Sequence, residues 1–578
     1  MADLDQIINH SGKGLIESKN LYFTLDINLG GTLGTYQCAN RDLSRSIYYT
    51  TLDAFYIGKL INTGVIHRSV QPDNGQFETS DLSISLSNSD LKFSEYPWDR
   101  ILLNRKVDFR VGFSFENNVT DNYMGTSSSL YKGIIKKEER SGKILNLSIG
   151  DYTNKIFKDI PPRRISVTEF PKLGTSVKVR GTMTDADTSL IGRGIPYIYG
   201  DFSNVSLIQP LFIDTDKKRY LIADHAIGNV SKVISGGTQV YNFTKPNISG
   251  YVAGTHITGT NIMSFINFGT SQGTKTVYVS VRGRYSSGNL LENPALIVKD
   301  ILLSNKICGL STTDIGTASF DVSQAFLNPY KFRFILDDDI YKNSVELLQN
   351  ISVNSLSTFR FDKDNKAQFD TYRPAVSRVN IQKIDQTDIL EDTFTNSRDI
   401  SDMYNKIIVN YDYDWINKKY RNAFEKGGTA YISQFDTIRT FTIDSPFIYN
   451  QTEASFAGQK WLSKLQAGMN KVNLELPLSK LPIDVNTRLQ LTHDEPPSSS
   501  GGWVDRLINI VECEIDNRGK KIYITAIDED EVNIIKKYFL LGNGTAFYRS
   551  ASTAQRYYGA LCGATGTFTN GDIGYILW

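Results

Sequence analysis

Apolar and polar residues alternate with a period of two along much of residues 21–160. In residues 79–88 and 106–115 every second side chain is apolar, and most of the side chains between them are polar or charged. This period is typical of a β-strand with one buried face. Residues 131–149 repeat the alternation on both sides of a turn at Gly142, which predicts a hairpin. The first part of the chain is therefore predicted to be a β-domain.

Helical signals begin only near residue 291. Asn293 precedes Pro294 and a run of apolar residues, and an Asn cap before a proline in the first turn is a common start of a helix. Two shorter helices and a hairpin follow, predicted over 320–327, 342–351 and 358–369. Residues 291–375 therefore read as a small mixed α/β module.

The segments on either side of this module are predicted to be rich in strands. Residues 161–290 are rich in Gly, Thr, Ser and Asn and contain short strand patterns between long loops. In residues 376–530, strands are predicted over 378–384, 406–411, 439–443, 471–478, 487–491, 507–515 and 521–527. One amphipathic helix interrupts them, with Ala454, Ala457, Trp461 and Leu465 on one face. Gly458 lowers the helix propensity of this segment and is predicted to be its weak point.

The two outer strand-rich regions resemble each other. The strand at 82–86 can be laid over 472–476, the strand at 109–111 over 489–491, and the hairpin turn at Gly142 over that at Gly519. Both regions then specify the same order of strands with the same faces inward. A duplication explains this match, but alternation and glycine turns are common to any two β-domains, so both interpretations remain open.

Composition excludes some classes of function. The chain has 578 residues, enough for roughly three to five domains. Its 63 Lys and Arg residues balance 62 Asp and Glu residues, which disfavours a dedicated nucleic-acid-binding protein. The 31 Tyr and 30 Phe residues favour strands. No apolar run reaches the length of a membrane span, and no signal peptide is expected at the N-terminus.

No residue pattern indicates a catalytic, cofactor or metal site. The four cysteines lack CxxC spacing and are expected to be free thiols of a protein made in a reducing cytoplasm. The five histidines have no metal-ligand spacing. Residues 269–273 match the letters GxSxG but precede a strand, so a turn is predicted. The acidic runs at 337–339 and 528–531 are interpreted as a helix-capping cluster and a solvated strand exit.

Four segments together resemble a known class of protein, the baseplate hub and tail-tip proteins of bacteriophages. They occur in the family's order and are the "PxxYG"-like Gly194-Ile195-Pro196-Tyr197-Ile198-Tyr199-Gly200, the "NPA…DLL"-like Asn293-Pro294-Ala295 helix, the hairpin from Phe359 to Phe369, and the "YNxVxVxY"-like Tyr404-Asn405-Lys406-Ile407-Ile408-Val409-Asn410-Tyr411. No appended lysozyme-like or peptidase domain is recognised. The resemblance implies an architectural hub and no enzyme.

In such hubs each chain carries two similar β-barrel domains, so that three chains present six barrels to a sixfold tail tube. The resemblance thus implies a mainly β, multidomain fold with a small α/β module and two similar β-barrel domains flanking inserted modules. The expected boundaries are an N-terminal arm (1–20), tube-like domain I (21–160), a β-rich inserted module (161–290), the mixed module (291–375), tube-like domain II (376–530) and a C-terminal docking segment (531–578).

The resemblance also implies partners and a location. The expected partners are two further copies of the chain, the tail tube or distal tail protein, the tape-measure protein, tip fibre or spike proteins, and DNA in transit. The expected location is the virion tail tip, after synthesis in the host cytoplasm. No cofactor and no membrane span are expected.

Two alternatives remain beside the architectural hub. A receptor-binding adhesin would place aromatic side chains on exposed surfaces, since tyrosines provide contact area at low entropic cost. The candidate partner-contact residues are Tyr548, Tyr557, Tyr558 and Trp578. A peptidoglycan-cleaving hub is the enzymatic alternative, because a glycosidase needs only two carboxylates.

Overall fold

The computed structural model describes most of residues 21–529 and two short strands beyond them. The described residues are 21–30, 34–40, 56–71, 81–95, 101–116, 122–170, 176–179, 182–185, 190–203, 208–214, 218–244, 247–249, 251–252, 255–256, 262–270, 272, 275–338, 340–372, 381–399, 401, 403–427, 436–466, 468–481, 483–496, 502–517, 519–529, 539–540 and 560–561. The predicted arm at 1–20 and the strand start at 378–380 lie outside them.

Nine strands form the first block of the structure. They are β1 (Leu21–Asn28), β2 (Thr35–Ala39), β3 (Ile57–Gly58), β4 (Leu60–Asn62), β5 (Val65–Ser69), β6 (Asp81–Ser87), β7 (Lys106–Glu116), β8 (Asn122–Ser141) and β9 (Ile144–Gly150). The alternating residues of β6 and β7 bury their apolar face, as the sequence predicts, with Leu82, Ile84 and Phe109 at most 1% exposed. The predicted hairpin joins β8 to β9 around Gly142.

The middle of the chain consists of short strands after one short helix. The elements are α1 (Thr153–Ile156), β10 (Ser176–Val179), β11 (Thr182–Asp185), β12 (Tyr197–Tyr199), β13 (Leu211–Asp214), β14 (Arg219–Ala223), β15 (Val230–Ser235), β16 (Thr238–Gln239), β17 (Phe243–Thr244), β18 (Asn247–Ser249), β19 (Tyr251–Val252), β20 (Thr255–His256), β21 (Ile262–Phe268), β22 (Val277–Val281), β23 (Tyr285–Ser286) and β24 (Asn289–Leu290). They form small separate sheets, the largest around β14 and β21.

The remaining elements complete an α/β unit and a second block of strands. They are α2 (Pro294–Leu303), α3 (Thr317–Phe326), β25 (Phe334–Leu336), α4 (Ser344–Asn354), β26 (Ser357–Phe361), β27 (Ala367–Thr371), β28 (Gln382–Asp385), β29 (Thr395–Arg398), β30 (Lys406–Asp414), β31 (Lys419–Gly427), β32 (Thr440–Asp444), α5 (Gln451–Leu465), β33 (Asn470–Pro477), β34 (Arg488–His493), β35 (Trp503–Asp516), β36 (Lys521–Asp528), β37 (Phe539–Leu540) and β38 (Ala560–Leu561). The second block consists of β28, β29 and β33–β36.

The α/β unit has one core, to which all four of the family-like segments contribute. Tyr197, Ala295, Phe369 and Val409 are buried in the same hydrophobic cluster. Helix α2 begins as predicted, since the Asn293 side chain accepts hydrogen bonds from the backbone N–H groups of the first turn. The sheet β31–β30–β32 and α5 belong to this core, so the "YNxVxVxY"-like strand packs with the α/β unit and not in the second block.

Both blocks lie in one 15-stranded sheet with the order β29–β33–β36–β35–β5–β6–β9–β8–β7–β1–β2–β3, to which β4, β28 and β34 are attached. Their buried residues form one continuous core. The prediction of a mainly β fold with a small α/β module is confirmed. In the described residues, however, neither block closes into a separate barrel: β5 pairs with β6 on one side and with β35 of the second block on the other, so the two blocks continue into one sheet. The predicted domain boundaries stay a prediction.

Gly458 in α5 marks a close approach and not simply a weak helix position. The helix packs there against β30 and β31, and a Cβ atom at residue 458 would lie 2.9 Å from Cε1 of Phe424 and 3.2 Å from Cγ2 of Val409. Ordinary carbon contacts need more room than the first of these distances. The glycine therefore lets the helix approach the sheet.

We predict that Gly458→Ala destabilises the protein. Helix propensity alone would favour alanine by about 1 kcal/mol, but overpacking against Phe424 is expected to outweigh it and to lower the free energy of unfolding by about 1–2 kcal/mol. Urea unfolding followed by tryptophan fluorescence measures the change. The control is Gln459→Ala at the next, exposed position, expected within about 0.5 kcal/mol of the unaltered protein. A more stable Gly458→Ala variant would contradict the packing argument.

Candidate assembly surface

The two blocks pair their strands in the same order and in the same register. In the first block, β6 pairs with β9 so that Leu82 lies opposite Ile149. In the second, β33 pairs with β36 so that Val472 lies opposite Ala526. All four side chains are buried. The overlay of 82–86 on 472–476 that the sequence indicates is therefore the structural one.

A β-bulge occurs at the same place in both blocks. Between β8 and β9 the register shifts directly after the pair Ile135–Ile149. Between β35 and β36 it shifts directly after the pair Ile510–Ala526. Because Ile149 corresponds to Ala526 in the preceding pairing, the two bulges are equivalent. A bulge depends on one extra residue at a defined point of a strand, so coincidence at the same pair favours a duplicated block.

A second irregularity is also shared, and it corrects one detail of the sequence overlay. Counting back from the bulge, Tyr131 of β8 corresponds to Arg506 of β35. Their partners are Phe109 and Leu491, and in both blocks the register shifts beyond this pair. The overlay placed Phe109 on Leu489, two residues away. A shift of two residues keeps every side chain on the same face, which is why the alternation pattern could not detect it.

The blocks meet through strand pairing. Strand β5 pairs antiparallel with the C-terminal half of β35, from Val65 opposite Asp516 to Ser69 opposite Glu512. On the same side of β35, its N-terminal half pairs with β34. Strand β5 also pairs with β6, where Ile66 lies opposite Leu82. One short strand therefore joins the two blocks edge to edge, and we call this pairing the internal junction.

A buried ion pair secures the internal junction. Arg68 of β5 is 4% exposed, and its guanidinium donates to Oδ1 of Asp484 at 3.0 Å and to the carbonyl oxygen of Leu130 at 3.1 Å. Arg360 of the β26–β27 hairpin approaches Oδ2 of the same Asp484 at 3.5 Å. The two blocks and the α/β unit therefore converge on one carboxylate.

The charges around Asp484 determine its ionisation. Burial acts to raise the pKa of the Asp484 carboxyl, but the positive charges of Arg68 and Arg360 outweigh burial and hold the pKa below its ordinary value. The carboxylate is thus ionised at neutral pH. A buried charge that remains ionised needs its partners in place, so a displacement of the blocks that separates the pair is costly.

Further polar contacts lie along the internal junction. Nε2 of His67 lies 2.9 Å from Oε1 of Glu512 across the two strands. The side-chain amide of Asn517 donates to the carbonyl oxygens of Thr63 and Gly64, at 3.2 Å and 3.1 Å. These contacts join residues far apart in the sequence and add directionality to the strand pairing.

The acidic residues at the end of β36 are buried partners and not solvated ends. Arg506 binds Asp528 with a shortest distance of 2.6 Å, and Arg488 binds Glu529 at 2.7 Å. Neither carboxylate side chain is more than 5% exposed. The prediction of a solvated strand exit was wrong for these two residues, because the arginine partners come from other strands of the same sheet, β35 and β34.

The described residues contain no group of side chains that could hold a metal ion. Asp338 pairs with Arg164 at 3.0 Å and accepts a hydrogen bond from the backbone of Gly194. His225 is buried, and burial lowers its pKa to about 3, so it is neutral.

A cavity of about 360 Å³ lies between the α/β unit and the second block and includes Tyr372 and Trp461 in its lining.

The candidate contact residues Tyr548, Tyr557, Tyr558 and Trp578 lie outside the described residues, so their role stays a prediction. None of the described helices has the length and hydrophobicity that crossing a membrane requires. Reasoning from the sequence did not predict the internal junction, which the structure places between the two blocks. Its strands show ordinary alternation, and nothing in the local pattern indicates which strands pair.

Comparisons with solved structures find matches of low sequence identity. No protein-family model and no curated protein matches the sequence. The 43 kDa tail protein of prophage MuSo2 from Shewanella oneidensis is 9% identical, with a TM-score of 0.38 over 88% of this chain and 99% of its own. A tail protein from Neisseria meningitidis MC58 is 7% identical, with a TM-score of 0.39 over 89% and 98% of the two chains. Both are tail proteins. The E. coli c3393 protein, a component of the type VI secretion system, is 7% identical, with a TM-score of 0.32 over 81% and 73%.

We predict that Arg68→Met weakens the internal junction strongly. The substitution leaves the Asp484 carboxylate with Arg360 as its remaining cation, and breaking one side of a buried ion pair is expected to lower the free energy of unfolding by about 3–5 kcal/mol. The double variant Arg68→Met/Asp484→Leu is expected to regain much of this loss, since it removes both charges. Urea unfolding and amide hydrogen exchange of β5 measure the effects.

The control for this prediction is an exposed ion pair of similar geometry. Lys383 lies 2.9 Å from Asp505, and both side chains are more than 40% exposed. Lys383→Met is expected to cost less than about 1 kcal/mol. If Arg68→Met is no more harmful than Lys383→Met, the buried pair does not hold the blocks together.

A second prediction concerns Glu453, a buried carboxyl in the first turn of α5. Burial raises its pKa to about 7, against a lowering by its hydrogen bond with Asn450. Because the folded state binds this proton more tightly than the unfolded state does, stability falls as the pH rises from about 4.5 to 7, by up to about 3 kcal/mol. Glu453→Gln is expected to remove this part of the pH dependence.

Thermal unfolding at pH 5 and pH 8 measures the difference between the unaltered chain and Glu453→Gln. The matched control is Asp321→Asn on α3, where the carboxylate is exposed and the pH profile is expected to stay that of the unaltered chain. Equal pH profiles for all three proteins would refute the assignment.

Proposed function

We propose that this chain is an architectural hub of a phage-type tail, in which three copies form a ring that closes a sixfold tail tube. The observation that carries the proposal is the repeated block. One chain holds two sets of strands with the same pairing order and equivalent bulges, placed side by side in one sheet. Three such chains offer six similar positions, which is what a sixfold partner requires.

Symmetry and strand edges favour a closed ring. A side-by-side contact between unlike surfaces generates either a ring or an open filament. Closing the ring leaves no exposed strand edge at the contact, which protects against uncontrolled association. The internal junction supplies one such contact within each chain, so a ring of three chains needs only three contacts between copies.

The sequence motifs support placing the chain in a phage tail. The four segments that resemble phage hub and tail-tip proteins all lie in the core of the α/β unit. We propose two tube-like regions at 21–160 and 376–530, the second of them interrupted by β30–β32 and α5, which pack with the α/β unit. We further propose inserted modules at 161–290 and 291–375, and a C-terminal docking segment at 531–578. The proposed partners are the tail tube or distal tail protein and tip fibre or spike proteins, at the tail tip of the virion.

The proposed ring encloses a channel for the tape-measure protein and later for DNA. The formal net charge of the chain is +1, and a conduit with little net charge holds passing phosphates only weakly. The proposed role is structural. The aromatic residues at Tyr548, Tyr557, Tyr558 and Trp578 are proposed to contact a neighbouring tail component.

Light scattering of the purified chain tests the ring. The expected mass is that of three chains of 64.9 kDa each, and addition of the cognate tail-tube protein is expected to give a complex that contains six tube subunits for each trimer. Tube protein alone is the control. A chain that stays monomeric at all concentrations and does not bind the tube would contradict the proposal.

A further inference from the structure

Two strand segments of the large sheet have an open side in the described part of the chain. Strand β29 is an end strand of the sheet, and all four of its residues, Thr395–Arg398, are exposed. The C-terminal half of β8, residues 137–141, pairs with β9 on one side and with no described strand on the other. Open strand edges readily accept another strand.

These two segments are the counterparts of the strands that form the internal junction. In the first block, β5 pairs with β6 with Ile66 opposite Leu82. In the second, β29 pairs with β33 with Asn396 opposite Val472. Since Leu82 corresponds to Val472, β29 is the counterpart of β5. Strand β8 is likewise the counterpart of β35, whose C-terminal half receives β5.

We propose that β29 of one copy pairs antiparallel with residues 137–141 of the next copy and so repeats the internal junction between chains. The inference rests on the proposed ring and names the surfaces that close it. The occupant of each open edge is a second copy of this chain, because the same chain already forms this contact between its own two blocks.

The register of the contact follows from the internal junction. There Arg68 lies opposite Cys513. Arg398 is the counterpart of Arg68, and Glu138 is the counterpart of Cys513 when both are counted from the shared bulge. The proposed pairing therefore places Arg398 opposite Glu138.

Charge complementarity supports this register. Opposite Arg398 stands the carboxylate of Glu138, and the next pair along the strands is Asp399 opposite Lys137. Both pairs join opposite charges, which stabilises cross-strand neighbours. A displacement by one residue in one direction would place Arg398 opposite Lys137, a residue of like charge, and in the other direction opposite Glu139. Either displacement would turn every side chain of β29 to the other face of the sheet.

The carboxylate of Glu138 has capacity for such a partner. Its Oε1 accepts a hydrogen bond from Arg140 at 3.0 Å, whereas its Oε2 is buried without a hydrogen-bond partner in the structure. An unpaired buried carboxylate oxygen costs free energy. The Glu138 side chain is 12% exposed, so it has to turn toward the open strand edge for this oxygen to accept from a guanidinium of the neighbouring copy.

The side chains at the proposed contact between copies are more polar than those at the internal junction, as expected for a contact that forms after folding. Within the chain, Ile66 faces Ile515, and both are buried. At the proposed contact the counterparts are Asn396 and Arg140, which are polar. A surface that is exposed to water before assembly is expected to be polar, whereas a junction formed during folding can be apolar.

Cross-linking tests the register directly. The pair Ser397→Cys and Glu139→Cys, in a Cys562→Ser background, is expected to give disulfide-linked trimers on a non-reducing gel, because directly opposite residues in antiparallel strands lie within disulfide range. The other three cysteines are buried. The matched control is Ser397→Cys with Glu138→Cys, which puts the two thiols on opposite faces of the paired strands and is expected to give no link.

Charge reversal tests the same contact without a new bond. Glu138→Arg and Arg398→Glu are each expected to weaken the monomer–trimer equilibrium on the order of a hundredfold, because each of three contacts exchanges an attraction for a repulsion. The double variant is expected to recover most of the affinity, since it restores opposite charges. Sedimentation velocity over a concentration series measures all three.

The outcomes separate this inference from the proposed function. A trimer in which the Ser397→Cys/Glu139→Cys variant forms no disulfide between copies, and which tolerates both charge reversals, would overturn the edge pairing while the ring itself stands. A chain that is monomeric throughout and does not bind the tube would overturn the ring and the edge pairing together. Specific linking with recovery in the double charge variant would establish the pairing.

Discussion

The arrangement of the structure depends on a buried charge that must be neutralised. Asp484 lies where both blocks and the α/β unit meet, and its partners Arg68 and Arg360 come from β5 and from the β26–β27 hairpin. An ionised carboxylate in such a place is stable only with its cations present. The ion pairs therefore form only when the three parts are docked in one arrangement, and any other position of the second block would leave a buried charge without its partner.

Local structure could be predicted from the sequence, whereas the pairing of distant strands could not. The strand around Leu82 and the cap at Asn293 are encoded by neighbouring residues, through alternation and through a side chain that bonds the first helical turn. The internal junction joins His67 to Glu512, 445 residues apart in sequence. The strand at Lys419–Gly427 was missed, because most of its residues are exposed and no apolar alternation marks it.

Two interpretations considered a feature without its neighbours in space; the structure corrects the first and adds a second role to the other. Asp528 and Glu529 looked like a solvated acidic run, yet Arg506 of β35 and Arg488 of β34 neutralise them inside the protein. Gly458 lowers the helix propensity of α5, and in addition Phe424 occupies the space that a side chain at this position would need. The charge and the helix propensity of a residue can be read from the sequence alone, but their effect on stability depends on the strands that pack against that residue.

A comparison of the two similar blocks distinguishes features that the backbone geometry requires from features that the surroundings of each block require. The bulges after Ile135 and Ile510 are equivalent although the side chains around them have diverged, since a bulge fixes twist and strand direction whatever the neighbouring side chains are. At the junction positions the divergence is chemical: Cys513 is buried beside Arg68, while its counterpart is the acidic residue Glu138. Divergence of this kind is expected when one copy of a contact forms with the fold and the other forms only when a partner arrives. The proposed contact between copies thus explains both why the two blocks keep the same strand geometry and why their junction residues differ in polarity.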